Sequence, residues 1–235
     1  MSTLRIGSLA LGAVPRVVAA GSATEVAALG REPAADLLEL RADLAPAPDP
    51  TWVTAVLPRL AAHRPVILTV RAAAEGGHPL DDAQRTALYR AGLPHAAAID
   101  VEIASQTLVH ELVPQARAQG CTVILSAHRL RATPSVRELL ALVAQARNLG
   151  ADIVKLATHA SSLEDLRTLL EVTLEARQRG IVTLAMGPLG PLSRLVLPAA
   201  GSLLTYGFVG QPTAPSGQLP VAELAALVHR FFPAS

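Results

Sequence analysis

Aromatic residues make up only 3% of this chain, cysteine occurs once, and lysine occurs once among 20 basic residues, the rest being arginine. With so few rings, the core must be aliphatic, built from Leu, Val, Ile and Ala. The one cysteine, Cys121, excludes an intrachain disulfide and a cysteine-based metal cluster. In "CTVILSAH" it reads as a buried small hydrophobe, and a reducing cytoplasm is the expected location. No stretch reaches the roughly 18 uninterrupted apolar residues of a membrane span. The apolar start "MSTLRIGSLALGAVPRVVAAGSA" is broken by Arg5 and Arg16 and does not read as a signal peptide. Net charge is +1 and no Lys/Arg-rich run exists, which argues against a nucleic-acid partner. No pair of histidines has HxH or HExxH spacing, so no metal site is expected. "MGPLGPLSR" lacks the lysine of a phosphate-binding loop, and no nucleophile elbow occurs.

What the chain does have is alternation. Hydrophobic residues are 51% and charged residues 17% of 235, enough for a sizeable core. Short β-branched or Leu-rich runs recur at 16–20, 36–43, 65–71, 96–102, 121–128, 151–157, 180–186 and 201–207. Between them lie helical patterns such as "SVRELLALVAQARNLG" and "SSLEDLRTLLEVTLEARQRG", each with serine before it and glycine at its end. Strands alternating with helices imply parallel pairing, and eight such units predict a (β/α)8 barrel, with a doubly wound open sheet as the alternative. No linker divides residues 1–235, so one domain is expected. Residues 4–17 are expected to form a hairpin closing the barrel bottom, and "APAPDP" a strand-to-helix loop.

Residues two apart on a strand share a face. On that basis Glu39, Arg41 and Asp43 fall together, as do Thr69 with Arg71, Asp100 with Glu102, Ser126 with His128, and Ile153 with Lys155. The charged members are expected at the C-terminal ends of their strands, where barrel active sites are built. Charges are rarely buried unpaired, so such a ring must solvate itself or a ligand. Glu75 with Gly76 and Gly77 follows the third run, Gly187, Gly190 and Arg194 the seventh, and "TAPSGQ" the eighth.

Lys155 is the position where arginine would not serve. A free lysine titrates at about 10.4, and desolvation with neighbouring cations is expected to lower this toward a neutral amine, which arginine cannot become. A neutral amine attacks ketones to give a Schiff base. His128 on the neighbouring strand suits proton transfer, with Glu75 expected to orient it and stabilise its charged form. The remaining histidines are expected mostly at the surface. A Schiff base acidifies the α-protons, which fits dehydration of a β-hydroxy ketone or aldol chemistry equally. Arg41, Arg71 and Arg194 suggest an anionic substrate, most simply a carboxylate. A non-catalytic barrel binding an anionic metabolite is the third reading.

The segments "ELRADL", "TVRAAAEGG", "IDVE", "ILSAHRLRATP", "ADIVKLA", "MGPLGPLSRL" and "GSLLTYGF…APSGQ" occur in this order. The set, over roughly residues 36–221, resembles the type I 3-dehydroquinate dehydratase family. The resemblance implies a (β/α)8 barrel, usually a homodimer, acting without cofactor or metal on the small molecule 3-dehydroquinate in the shikimate pathway. It implies that Lys155 forms an imine with the C3 ketone. His128 would remove the C2 proton and then protonate the departing C1 hydroxyl in a syn elimination. Glu75 matches the acid that positions the histidine, and Glu39, Arg41 and Arg71 match residues contacting substrate hydroxyls. Arg194 matches the carboxylate-binding arginine, and Thr213 and Gln218 match residues of the lid loop. Two positions depart from the pattern: Ser216 reads as a one-residue insertion in that loop, and Leu130 stands where the family often has Phe.

Overall fold

The period-two apolar runs become parallel strands, and the spacers between them become helices, in the computed structural model, which describes residues 4–22, 25, 28, 30–210 and 217–233. A hairpin of β1 (Arg5–Ile6) and β2 (Leu9–Ala10) comes first. Then follow β3 (Arg16–Ser22), β4 (Leu37–Arg41), α1 (Pro50–Ala61), β5 (Val66–Thr69), α2 (Asp82–Gly92) and β6 (Ala98–Glu102). The chain continues through α3 (Gln106–Ala118), β7 (Thr122–Arg129), α4 (Val136–Asn148), β8 (Ile153–His159) and α5 (Leu163–Ala176). It ends with β9 (Ile181–Met186), α6 (Gly190–Ala200), β10 (Leu204–Phe208), β11 (Leu219–Pro220) and α7 (Val221–Phe231). The sheet runs β11-β10-β3-β4-β5-β6-β7-β8-β9, parallel throughout. The curl closes where the Leu203 N–H donates to the Ile181 carbonyl at 2.9 Å, giving the barrel expected from the alternation rather than an open sheet. The two-residue β11, which pairs with Gly207 and Phe208, is too short and too proline-bound to be read from sequence.

Local chemistry sets the helix starts. Ser135 with Glu138 and Ser162 with Asp165 form reciprocal capping boxes on α4 and α5, so orphan N–H groups in each first turn are satisfied. Asp49 caps α1 ahead of Pro50, which makes the proline-rich piece a helix entry.

Side-chain alternation divides the core in two. One face of the strands, with Val17, Leu38, Leu40, Leu68, Ile99, Leu125 and Leu156, packs outward against the helices. The other face points into the barrel. Its lowest residues, one from each of eight strands, are Val18, Leu37, Ile67, Ala98, Ile124, Ile153, Val182 and Leu204, with Ile6 and Leu11 of the hairpin region in the same cluster. The expected bottom closure is therefore present. Two residues further along the same faces the chemistry changes: Glu39, Thr69, Asp100, Ser126, Lys155 and Tyr206 succeed Leu37, Ile67, Ala98, Ile124, Ile153 and Leu204. All of these polar side chains are buried, so an aliphatic floor carries a polar storey.

Among the described residues no helix is long and apolar enough to cross a membrane. Ile153 has no exposed surface in the floor layer, and Ile153→Ala is expected to lower unfolding free energy by about 2–5 kcal/mol. Urea unfolding midpoints check this. The polar storey above, and with it activity below the transition, should survive.

Candidate active site

One cavity opens above the floor layer, lined by Glu39, Arg41, Arg71, Glu75, Gly76, His128, Leu130, Lys155, Ala157, Leu184, Met186, Arg194, Tyr206 and Gln218. Its polar wall comes from β4 to β8 and its apolar wall from Leu184, Met186 and Tyr206 of β9 and β10. The structure thus brings together every residue expected of the site except Thr213, which, like Ser216, lies outside the described residues. Gln218 reaches the cavity because Gly217 packs on the loop after β9. A Cβ on Gly190 would stand 2.5 Å from the Gly217 Cα, so only glycine permits that approach.

Lys155 does not end its strand. It is the third of seven residues in β8 and sits inside the barrel, which corrects the strand-end placement. Its Nζ donates to Asp100 Oδ2 at 2.8 Å and Glu39 Oε1 at 3.3 Å, and lies 4.2 Å from the centroid of the Tyr206 ring. Burial by itself would lower the lysine pKa, but Asp100, Glu39 and Tyr206 outweigh it and the pKa rises. The resting side chain is therefore an ammonium, not the neutral amine expected from sequence. The reason is that the neighbours which decide are carboxylates on β4 and β6.

Those carboxylates are themselves held. Burial would raise the Asp100 pKa, but Arg71 and Lys155 keep it well below the usual carboxylate range. Its Oδ1 accepts the Ser126 hydroxyl at 2.6 Å and its Oδ2 accepts Arg71 at 3.1 Å. Arg71 also donates to Glu102 and to Ser126, each at 2.8 Å. Glu102 in turn pairs with buried Arg85 of α2, giving an unbroken line from the helix layer to Lys155.

Arg41 is likewise committed, donating to both oxygens of Asp43 at 2.9 and 2.7 Å. Two of the three arginines expected to grip a substrate carboxylate therefore already hold acids, and that expectation is corrected for Arg41 and Arg71. Arg194 differs. It is buried on α6, its Nη1 donates to the Ala185 carbonyl and Ser193 hydroxyl at 3.1 and 3.2 Å, and its Nε has no partner among the described residues. Desolvation lowers its pKa to about 10, and no carboxylate offsets that. An uncompensated guanidinium in a cavity wall is a receptor for an anion.

His128 is positioned by one oxygen. Glu75 Oε2 accepts its backbone N–H at 2.8 Å and meets its Nδ1 at 2.9 Å. A proton on Nδ1 leaves the lone pair on Nε2. Glu75 follows β5 in the short turn Ala73–Glu75, and Gly77 is required there because a Cβ would lie 2.0 Å from the Arg71 carbonyl oxygen. Burial, then Arg71 and Lys155, push the His128 pKa well below its ordinary value. Glu75 consequently orients a neutral imidazole and does not charge it, which corrects the expected stabilisation. Its own pKa rises to about 7, chiefly through burial.

Tyr206 is not among the site residues read from sequence, and Asp100 appears there only as a member of the ring of charges, without a role. Both stand on the inward parity of their strands, the same signal that found Glu39 and Lys155. Of the remaining histidines, His159 at the end of β8 is half-buried and the other five are exposed, much as expected.

Comparison with known proteins decides what this arrangement is. A family model for type I 3-dehydroquinase matches residues 19–232. The chain belongs to the type I 3-dehydroquinase family. The 3-dehydroquinate dehydratase of Methanocella arvoryzae is 38% identical over 215 residues, covering 89% of this chain and 94% of its own. That of Methanosarcina acetivorans is 36% identical over 208 residues, covering 84% and 86%. Among solved structures, 3-dehydroquinate dehydratase from Geobacillus kaustophilus superposes with a TM-score of 0.88 at 29% identity, covering 99% of this chain and 98% of that one. The type I enzyme from Clostridium difficile, solved with covalently modified comenic acid, gives 0.88 at 27% identity, covering 98% of each.

The raised pKa of Glu75 has a stability consequence of definite sign. Its neutral form is favoured on folding, so its contribution is fully present below about pH 4.5, its unfolded value, and is lost as pH rises to about 7. The Glu75→Gln variant should therefore gain stability relative to the parent between those values and stay level above. Urea midpoints at pH 4.5, 6 and 8 check it.

Proposed function

We propose that Lys155 is the Schiff-base lysine of this enzyme and that His128 is its acid–base group. The family reaction is the dehydration of 3-dehydroquinate to 3-dehydroshikimate. The observation that carries the assignment is the convergence on one cavity of the chain's sole lysine, a neutral imidazole held by Glu75, and the uncompensated Arg194. In this reading Arg194 takes the substrate carboxylate, and Glu39, Arg41, Arg71 and Gln218 border its hydroxyls, with Thr213 assigned to the same loop by resemblance.

The resting ammonium must lose a proton before it attacks. His128 is the neutral base lining the same cavity. Nζ then bonds to the C3 carbon, the carbonyl oxygen is protonated and leaves as water, and an iminium remains. The iminium draws electrons from C2, so Nε2 of His128 removes a C2 proton and an enamine forms. The C1 hydroxyl leaves as water with the proton His128 returns. One imidazole acting on one face makes the elimination syn. Hydrolysis of the imine frees the product and restores the lysine beside Asp100 and Glu39. The proposal extends to a single barrel domain over residues 1–235, working as a homodimer in the cytoplasm without cofactor or metal, as the family resemblance supports.

Incubation with 3-dehydroquinate and borohydride should fix a covalent adduct on Lys155, read by mass spectrometry. An active enzyme left unmodified at Lys155 overturns the assignment. Lys155→Arg keeps the charge and should abolish turnover, measured by ultraviolet absorbance of the conjugated enone. Arg194→Gln should raise KM by roughly 10- to 100-fold, the size of a charge-assisted hydrogen bond, with a smaller effect on kcat.

A further inference from the structure

Tyr206 is only 3% exposed, lines the cavity, and places its ring against the ammonium of Lys155, yet beyond a weak contact with that ammonium its hydroxyl has no hydrogen-bond partner among the described residues. The contact with Lys155 has the geometry of a cation against a ring face. That interaction needs only the ring, and phenylalanine would supply it. An ammonium can only donate to the phenol, so the buried O–H itself lacks an acceptor in the resting enzyme, and one is to be sought among atoms that arrive during the reaction. Arg194 Nε is the cavity's other unpartnered donor, and the substrate carboxylate accounts for it. Nothing in the reaction so far accounts for the phenol.

The atom that arrives beside Lys155 is the oxygen of the ketone it attacks. Once Nζ has bonded to the carbon, that oxygen is two bonds from Nζ, alongside the Tyr206 ring. We propose that Tyr206 is a further catalytic residue, donating a hydrogen bond to this oxygen as it passes from carbonyl to carbinolamine hydroxyl to departing water. The inference rests on the Schiff-base reading of Lys155. The electron pair of the carbonyl moves onto the oxygen as the N–C bond forms. His128 returns to that oxygen the protons taken from the nitrogen, and the C–O bond breaks as C=N forms. Tyr206 keeps its own proton throughout, as burial favours: its pKa is raised, burial outweighing Lys155. The ring meanwhile faces a cation at both ends of the step, the ammonium before and the iminium after.

The test is Tyr206→Phe, which keeps the ring and removes the oxygen. Borohydride trapping on Lys155, followed over time with 3-dehydroquinate, should slow by roughly tenfold, the size of one uncharged hydrogen bond. The steady-state kcat should fall by a similar factor while KM changes less than about twofold. Melting temperature should hold or rise, because an unpaired buried hydroxyl has been deleted. Trapping and turnover at the parent rate overturn the assignment. So does a melting temperature that falls with the rate, since that makes the hydroxyl a structural group. A parent enzyme that turns over without an adduct on Lys155 overturns the Schiff-base reading itself. Normal trapping in the parent and in the variant alike overturns only the role of Tyr206.

Discussion

A charged lysine inside a barrel must be paired, and the contact between Lys155 and Asp100 at 2.8 Å is the interaction on which the rest of the interior depends. Asp100 can meet it only because Arg71 shares its charge, and Arg71 lies inside only because Glu102 does. Glu102 is anchored by Arg85 from the helix layer. Each ion in the line would be costly to bury alone, and removing any one would strand its neighbours. The line stands on the aliphatic floor, which keeps water out from below and gives each strand a fixed height from which its next inward residue projects.

The same pairing shapes the chemistry. A lysine held as an ammonium by carboxylates is protected from adventitious reaction and becomes a nucleophile only when a base in the cavity takes its proton. Burial and the surrounding cations keep His128 neutral, the form that its proposed role as base requires, while Glu75 orients it. The arginines divide by partner. Arg41 and Arg71 are paired with acids within the protein, whereas Arg194 has carbonyl and hydroxyl acceptors but no acid among the described residues, which suits it to the substrate carboxylate of the proposed reaction. In the cavity wall, two buried donors, on Arg194 and Tyr206, have no acceptor among the described residues.

The strands and the capped helices were legible in the sequence because their causes are local: period-two alternation, serine paired with an acid three residues on, glycine after a last turn. The inward parity of Glu39, Arg71, His128 and Lys155 was legible for the same reason. Strand ends were less so. β8 continues past Lys155 to His159, since Leu156 and Ala157 are equally content in a strand or a turn, and only pairing with β7 and β9 extends it.

By itself the sequence determined that a barrel would form, which residues would face its interior, and that its one lysine would be among them. Only the tertiary structure decided what those residues are in chemical terms. Lys155 and Glu39 are 116 positions apart, Lys155 and Asp100 are 55 apart, and His128 and Glu75 are 53 apart. Protonation state is set by charges within a few ångströms, and no local pattern reports which distant carboxylate will arrive there. That is why the lysine proved to be an ammonium, two arginines proved to be occupied, and the tyrosine of the eighth apolar run proved to lie against the Lys155 nitrogen.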